Sequence, residues 1–296
     1  MEKMTRREAI VQGGRLLSGS VVLALPQGVL SACSASKPDP TTVAQIRKNV
    51  QKASLDGIRL TIVYDNYRFN EELQADWGFS CLVEGLDRTL LFDTGRYHDA
   101  FVSNLFKLGI DPKSIDELVL SHDHPDHVGG ALKFLEFNSS VTVSLVRSFP
   151  SGFKKSMQES GADVAEIEQA TTISRNVVST GEMKDIVRNE HSLVLVTDQG
   201  GIVLTGCAHP GIVEIVERSV ALTGQEILLV AGGFHLMSDY GSSIRNIALK
   251  LRDLGVRHVA PTHCSGGEAR QIFSAVFGER FLNGGVGRVI TAGDFI

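Results

Sequence analysis

The stretch Ser121-His122-Asp123-His124-Pro125-Asp126-His127-Val128-Gly129-Gly130 places His122, His124, Asp126 and His127 within six residues. Ile115 to Leu120 before it reads as a short buried strand, and Ala131 to Leu135 after it reads as a turn of helix. The histidines therefore sit on a loop held between two rigid elements. At a strand end alternate residues point the same way, so His122 and His124 can bind one ion together. Asp126 and His127 lie one turn on and can face a second ion. Imidazoles suit zinc or iron, whereas a carboxylate suits a harder ion or a shared water. A merely solvated turn needs no four ligands at this spacing. Gly129 and Gly130 would let the helix pack close to the sheet, or let a ligand approach the backbone.

Other runs extend this reading. Leu90-Leu91-Phe92-Asp93-Thr94-Gly95, Val203-Leu204-Thr205-Gly206 and Pro261-Thr262-His263 each look like a strand that ends in a loop. Together with the H-x-H-x-D-H run, they resemble the metallo-β-lactamase superfamily. The resemblance spans about residues 57 to 296. It implies an α/β protein, a four-layer αβ/βα sandwich with a one- or two-metal site along one edge.

Thr205-Gly206-Cys207-Ala208-His209-Pro210-Gly211 narrows it further. Most of the superfamily ends this strand in Thr-Gly-Asp, and that aspartate bridges two metals; here Cys207 stands in its place. The run resembles the dihydropterin-ribofuranosylaminobenzene phosphate synthase-like branch. Gly78-Phe79-Ser80, Gly232-Gly233-Phe234-His235-Leu236 and Pro261-Thr262-His263-Cys264-Ser265-Gly266 agree with it.

The resemblance implies His122, His124, Asp126, His127, His209 and His263 as metal ligands, with His209 replacing a third histidine missing from its usual position. Cys207 is either a thiolate ligand, which would favour zinc, or a structural residue. His191 is expected to be a surface or strand-edge histidine and not a ligand. His235 ends a strand on the same edge and is a ligand, a substrate contact or a proton donor. Asp93, and in a similar way Asp65 and Asn66, would orient metal histidines through their outer ring nitrogens. Cys264 is expected to pack behind His263 and Cys81 to be a small buried hydrophobe. His98 reads as exposed and His258 as a strand residue.

The 296 residues allow one large domain with an N-terminal appendage, and an apolar fraction of 43% suffices for its core. A net charge of -5, with no basic block in the body, gives no electrostatic case for nucleic acid. Thr5-Arg6-Arg7-Glu8-Ala9-Ile10 resembles a twin-arginine export motif, and Leu30-Ser31-Ala32-Cys33 a lipobox that would be lipidated on Cys33. Residues 1–33 are thus expected to be a signal segment, 34–56 a flexible tether with Pro38 and Pro40, and 57–296 the folded domain. The protein would be an exported lipoprotein, held to a membrane by acyl chains and facing the periplasm or cell exterior. With Cys33 lipidated, Cys81, Cys207 and Cys264 leave an odd number, against a disulfide framework.

Strands are expected at about 58–64, 79–84 and 89–92, a helix at about 97–108, and a strand hairpin at 192–197 and 201–205. Helices at about 211–222 and 243–254 then alternate with strands at 227–231 and 258–261. Residues 139–189 would form a lid or wall over the metal edge. Phe149, Phe153 and Met157 would either line it or simply pack.

Two divalent ions, zinc in the first instance with manganese or iron as alternatives, would lower the pKa of a water and polarise the group under attack. Asp126 would be both ligand and proton acceptor, and His235 the leaving-group proton donor. The expected activity is metal-dependent hydrolysis of a small-molecule phosphate ester, ester or lactone. The branch's synthase activity, a periplasmic β-lactamase and a non-catalytic metal-binding lipoprotein are the alternatives.

Overall fold

Apolar residues that alternate along the strands face two different partners, which explains a sheet covered on both sides. In the run 90–92, Leu90 and Phe92 turn toward the second sheet, and Leu91 turns toward helices. The computed structural model describes residues 38–186 and 188–295. The signal segment expected over residues 1–33, Cys33 included, lies outside them.

In chain order the elements are α1 (Pro40–Asn49), β1 (Arg59–Asp65), β2 (Phe79–Glu84), β3 (Leu90–Phe92), α2 (His98–Lys107), β4 (Glu117–Leu120), α3 (Pro125–Val128), α4 (Ala131–Leu135), β5 (Thr142–Val146), α5 (Ser151–Glu159) and β6 (Asp163–Ile167). They continue as β7 (Thr171–Ser174), β8 (Val177–Ser179), β9 (Leu193–Thr197), β10 (Gly200–Thr205), α6 (Ile212–Thr223), β11 (Ile227–Gly233), α7 (Gly241–Asp253), β12 (His258–Thr262), α8 (Gly267–Phe277) and β13 (Val289–Ile290). One sheet has the order β13-β1-β2-β3-β4-β5-β6, the other β12-β11-β10-β9-β8-β7.

The core between the sheets takes Ile62, Cys81, Val83 and Phe92 from one and Leu195, Leu204 and Leu229 from the other. Phe101 of α2, Phe134 of α4 and Met157 of α5 cover the outer face of the first sheet. Ile215 of α6, Ile244 of α7 and Phe273 of α8 cover the second. The result is the four-layer αβ/βα sandwich. Each fully buried Leu, Ile or Phe contributes about 1.5–3 kcal/mol of burial.

Two expectations need correction. Residues 40–49 of the proposed tether form α1. Asp39 caps the helix by accepting from the Thr42 N–H at 2.9 Å, and Pro40 stands at its first position, where a missing N–H costs nothing. Ile46 is buried against the second sheet's outer core, and Arg47 donates to the Ala221 carbonyl at the end of α6 at 2.8 Å. Residues 139–167 extend the first sheet instead of forming a lid. Phe149, Phe153 and Met157 recur every fourth residue, one face of α5 and its approach, and pack under that sheet.

Strand direction places the site. β3, β4 and β5 run parallel, as do β10, β11 and β12. The loops after β1, β3, β4, β10, β11 and β12 all leave at one edge, where open α/β sheets bind their ligands. Among the described residues, no helix is long and apolar enough to cross a membrane.

Candidate metal centre

Four non-glycine residues have left-handed backbone conformations among the described residues, and all four lie at this edge. They are Asp93 (φ 58°), Ala208 (φ 60°), His235 (φ 52°) and His263 (φ 49°). Each costs backbone energy, of order 1–3 kcal/mol, that the surrounding contacts must offset. They mark the loops that carry the donors.

Tautomers follow from the hydrogen bonds. The Asp93 carboxylate can only accept, so the Ser121 hydroxyl donates to its Oδ2 at 2.8 Å and His122 Nδ1–H donates to Ser121 Oγ at 2.9 Å. His127 Nδ1–H donates to Asp93 Oδ2 at 2.7 Å. His209 Nδ1–H donates to Glu190 Oε2 at 2.8 Å, and His263 Nδ1–H to Asn66 Oδ1 at 2.9 Å. All four rings therefore present an Nε2 lone pair inward, the arrangement in which outer partners orient metal histidines.

The inward nitrogens crowd one another. His122 Nε2 lies 3.0 Å from His124 Nδ1, and His127 Nε2 lies 3.2 Å from His263 Nε2. His209 Nε2 is buried with no hydrogen-bond partner at all. Facing lone pairs repel unless a cation or proton lies between them. Burial opposes charging His127, but Asp93, Asp126 and Glu190 outweigh it and raise its pKa to about 9. In the metal-free protein a proton on His127 thus answers a demand for positive charge. His122 is held well below the ordinary value by its burial and by the charge of His127, which outweigh Glu190. This donor set fits divalent metal.

The donors fall into two triads, His122–His124–His209 and Asp126–His127–His263, each with its ligand atoms within 4.8 Å of one another. Cys207 lies between them, its Sγ 3.2 Å from His127 Nε2 and also grouped with His122, with His209 and His235, and with His263 and Cys264. The structure therefore brings His122, His124, Asp126, His127 and Cys207 to one centre with His209 and His263 from distant strands, and groups the eighth candidate, His235, with Cys207 and His209. Asp126 is partly open to solvent and lies 3.3 Å from His263 Nε2. Although burial pushes its carboxyl up, the His263 hydrogen bond and the charge of His127 hold it well below the usual carboxylate range. His235 is exposed at the rim, and a hydrogen bond with Cys264 raises its pKa. The Trp77 ring packs at 4.8 Å from that of His263. Asp65 accepts from the Thr262 hydroxyl just before His263.

His191 is not at the surface. It is fully buried; its Nε2–H donates to the Leu120 carbonyl at 3.0 Å and its Nδ1 accepts from the Ser179 hydroxyl at 2.8 Å. It precedes β9 where that strand's end is covered by the first sheet, so both ring nitrogens are engaged away from the centre.

The residue that sequence reading missed is Glu190. Fully buried, it accepts from the backbone N–H of Cys207 (2.8 Å), Ala208 (3.0 Å) and His209 (3.0 Å) as well as from the His209 ring. Burial alone would raise its pKa, yet His122 and His209 keep it well below the ordinary value. The available signal was hairpin register. Leu193 pairs with Leu204, and continuing three residues beyond each sets Glu190 opposite Cys207.

The family model of the metallo-beta-lactamase superfamily matches residues 78–263. A 7,8-dihydropterin-6-methyl-4-(beta-D-ribofuranosyl)-aminobenzene-5'-phosphate synthase from Methanocaldococcus jannaschii is 28% identical, over 80% of this chain and 97% of its own. Among solved structures, Tm1679, described as a metal-dependent hydrolase of the beta-lactamase superfamily, is similar with a TM-score of 0.66 and 28% identity, over 79% of this chain and 99% of its own. The metallo-beta-lactamase fold protein YhfI from Bacillus subtilis shares the fold, with a TM-score of 0.60 and 16% identity over 79% and 98% of the two chains.

Proposed function

Since the chain belongs to the metallo-beta-lactamase superfamily, we propose that it is a metal-dependent hydrolase acting on a small-molecule phosphate ester, ester or lactone. The observation that carries this reading is the convergence of four Nε2 lone pairs, one of them on a buried nitrogen with no partner. His122, His124 and His209 would hold one divalent ion; Asp126, His127 and His263 would hold a second, with Cys207 between. Metal bound there would supply Lewis-acid polarisation of a substrate oxygen and a water of lowered pKa.

The chain's own groups do the rest. Asp126, ionised and partly open to solvent, would accept the proton released by the attacking water. His235, raised in pKa and exposed, donates a proton to the leaving group. Asp93 and Glu190 hold the rings in the tautomers that leave Nε2 free. The Trp77 ring beside His263 gives an apolar wall for the substrate.

A second reading, a synthase-like transferase, is favoured by the 28% identical synthase aligned over 97% of its length. The test is metal analysis of the purified protein together with a panel of phosphoesters, lactones and β-lactams, and an assay for the product that names that synthase. Hydrolysis lost in a folded His122→Ala variant supports the first reading; product formation in the last assay alone supports the second. Bound metal with no turnover anywhere would return the protein to the class of metal-binding proteins. We also propose export and lipid attachment at Cys33, on the strength of the sequence between Thr5 and Cys33. Membrane association that persists unchanged in Cys33→Ser would overturn it.

A further inference from the structure

Three cysteines among the described residues are free and buried, but their surroundings differ. Cys81 lies between the sheets among Ile62, Phe92 and Leu204, and its thiol donates only to the Leu82 carbonyl, at 3.6 Å. Cys207 and Cys264 lie where the polar loops meet. Cys264 Sγ is 3.6 Å from the Cys207 carbonyl oxygen. Its sulfur, that of Cys207 and a ring nitrogen of His263 all lie within 4.8 Å of one another.

The two cysteines come from the ends of β10 and β12, with β11 between them. They meet because β11 ends in Gly233. A Cβ there would stand 2.7 Å from Cys264 Sγ and 3.3 Å from the Cys207 Cα. A residue that merely filled space behind His263 would face hydrocarbon, as Cys81 does. Cys264 instead faces a second sulfur and an inward-turned imidazole.

We propose that Cys264 is itself a metal ligand, and that Cys207, Cys264 and His263 form a sulfur-rich arm selecting a soft divalent ion, zinc or its analogues cobalt and cadmium. The inference deepens the metal-centre reading above and rests on it. Two thiolates would set this centre's preference for zinc over manganese, since soft ligands favour the softer ion.

The test uses the full chain loaded with cobalt(II), followed by the sulfur-to-cobalt charge-transfer band in the near ultraviolet. In Cys264→Ser the band should fall by about half, one of two thiolates being gone, while cobalt stays bound. In Cys81→Ser it should not change. An undiminished band in Cys264→Ser with cobalt bound would overturn this inference and leave the metal centre standing. Failure of the wild-type chain to bind cobalt, zinc or cadmium would overturn the metal centre and this arm with it. Should Cys264→Ser not fold, cadmium-113 resonance of the wild-type protein decides: a shift in the range of two thiolate ligands supports the arm, and that of one or none overturns it.

Discussion

The two sides of the centre solve one problem in different ways. On the side of the first sheet, the loop after β4 carries four donors in one run, and Asp93 braces it by accepting from Ser121 N–H, the Ser121 hydroxyl and the His127 ring. On the side of the second sheet, the loop after β10 carries Cys207 and His209, and Glu190 braces it through three backbone N–H groups and one ring N–H. Both braces are fully buried carboxylates. Asp93 mainly sets side chains on a loop already shaped by Pro125 and the short α3. Glu190 shapes the loop itself, including Ala208 in its left-handed conformation. The first arm is a local motif; the second is imposed by a neighbouring strand's extension.

The largest expected effect treats the arms as equals. His122→Ala and His209→Ala should each weaken metal binding by more than about 100-fold, beyond the range typical of outer partners. Competition with a chromogenic chelator measures it. Wild-type metal content in His209→Ala alone would break the two-arm picture and return the centre to the His122–His127 loop.

Next come the braces, where the arms should separate. Glu190→Gln and Asp93→Asn should each cost about 10- to 100-fold in metal affinity. In the metal-free protein, Glu190→Ala should cost about 3–5 kcal/mol, because three buried backbone N–H groups and the His209 ring N–H lose their acceptor. Asp93→Ala should cost less, since only one backbone N–H is stranded and His127, whose pKa is raised chiefly by Asp93, can shed its extra proton and stay neutral. Urea unfolding of both variants checks this; equal losses would mean that the Cys207–His209 loop does not depend on its brace.

The difference between the arms also governs what the sequence disclosed. The β4 loop and most strands were legible because their signals are local, alternating apolar runs and ligands packed within six residues, His122 to His127, whereas the sandwich followed from the resemblance those runs carry. Glu190 was not, because its contacts depend on the β9–β10 pairing, and no residue type near it announces a buried acid. Helix α1 lies in a polar stretch with Pro38 and Pro40 that reads as a tether, yet at a helix's first position proline is compatible, and one buried residue, Ile46, docks it. His191 was misplaced for the same reason as Glu190: its burial comes from the other sheet.

His191 gives the smallest effect on the centre and sharpens the comparison most. Its backbone N–H donates to the Ser121 carbonyl at 3.1 Å and its ring to that of Leu120. It thus pins the strand behind Glu190 to the strand behind His122. If that role is mechanical, His191→Gln should leave metal affinity within about threefold of wild type, well short of an outer partner's effect. Its mark should be on stability against pH. Burial lowers the folded-state pKa of His191 to about 4, against about 6.5 in the unfolded chain. Above pH 6.5 the ring is neutral in both states and contributes nothing to the dependence. As pH falls from about 6.5 to 4, the unfolded chain takes up the proton first, and the metal-free fold loses up to about 3 kcal/mol. In His191→Gln that share of the decline should vanish, whatever the other groups do, because the difference between the two unfolding curves isolates one titration. Parallel curves for wild type and variant across this window would show that His191 is not held neutral between the sheets, and the mechanical link between the arms would have to be sought elsewhere.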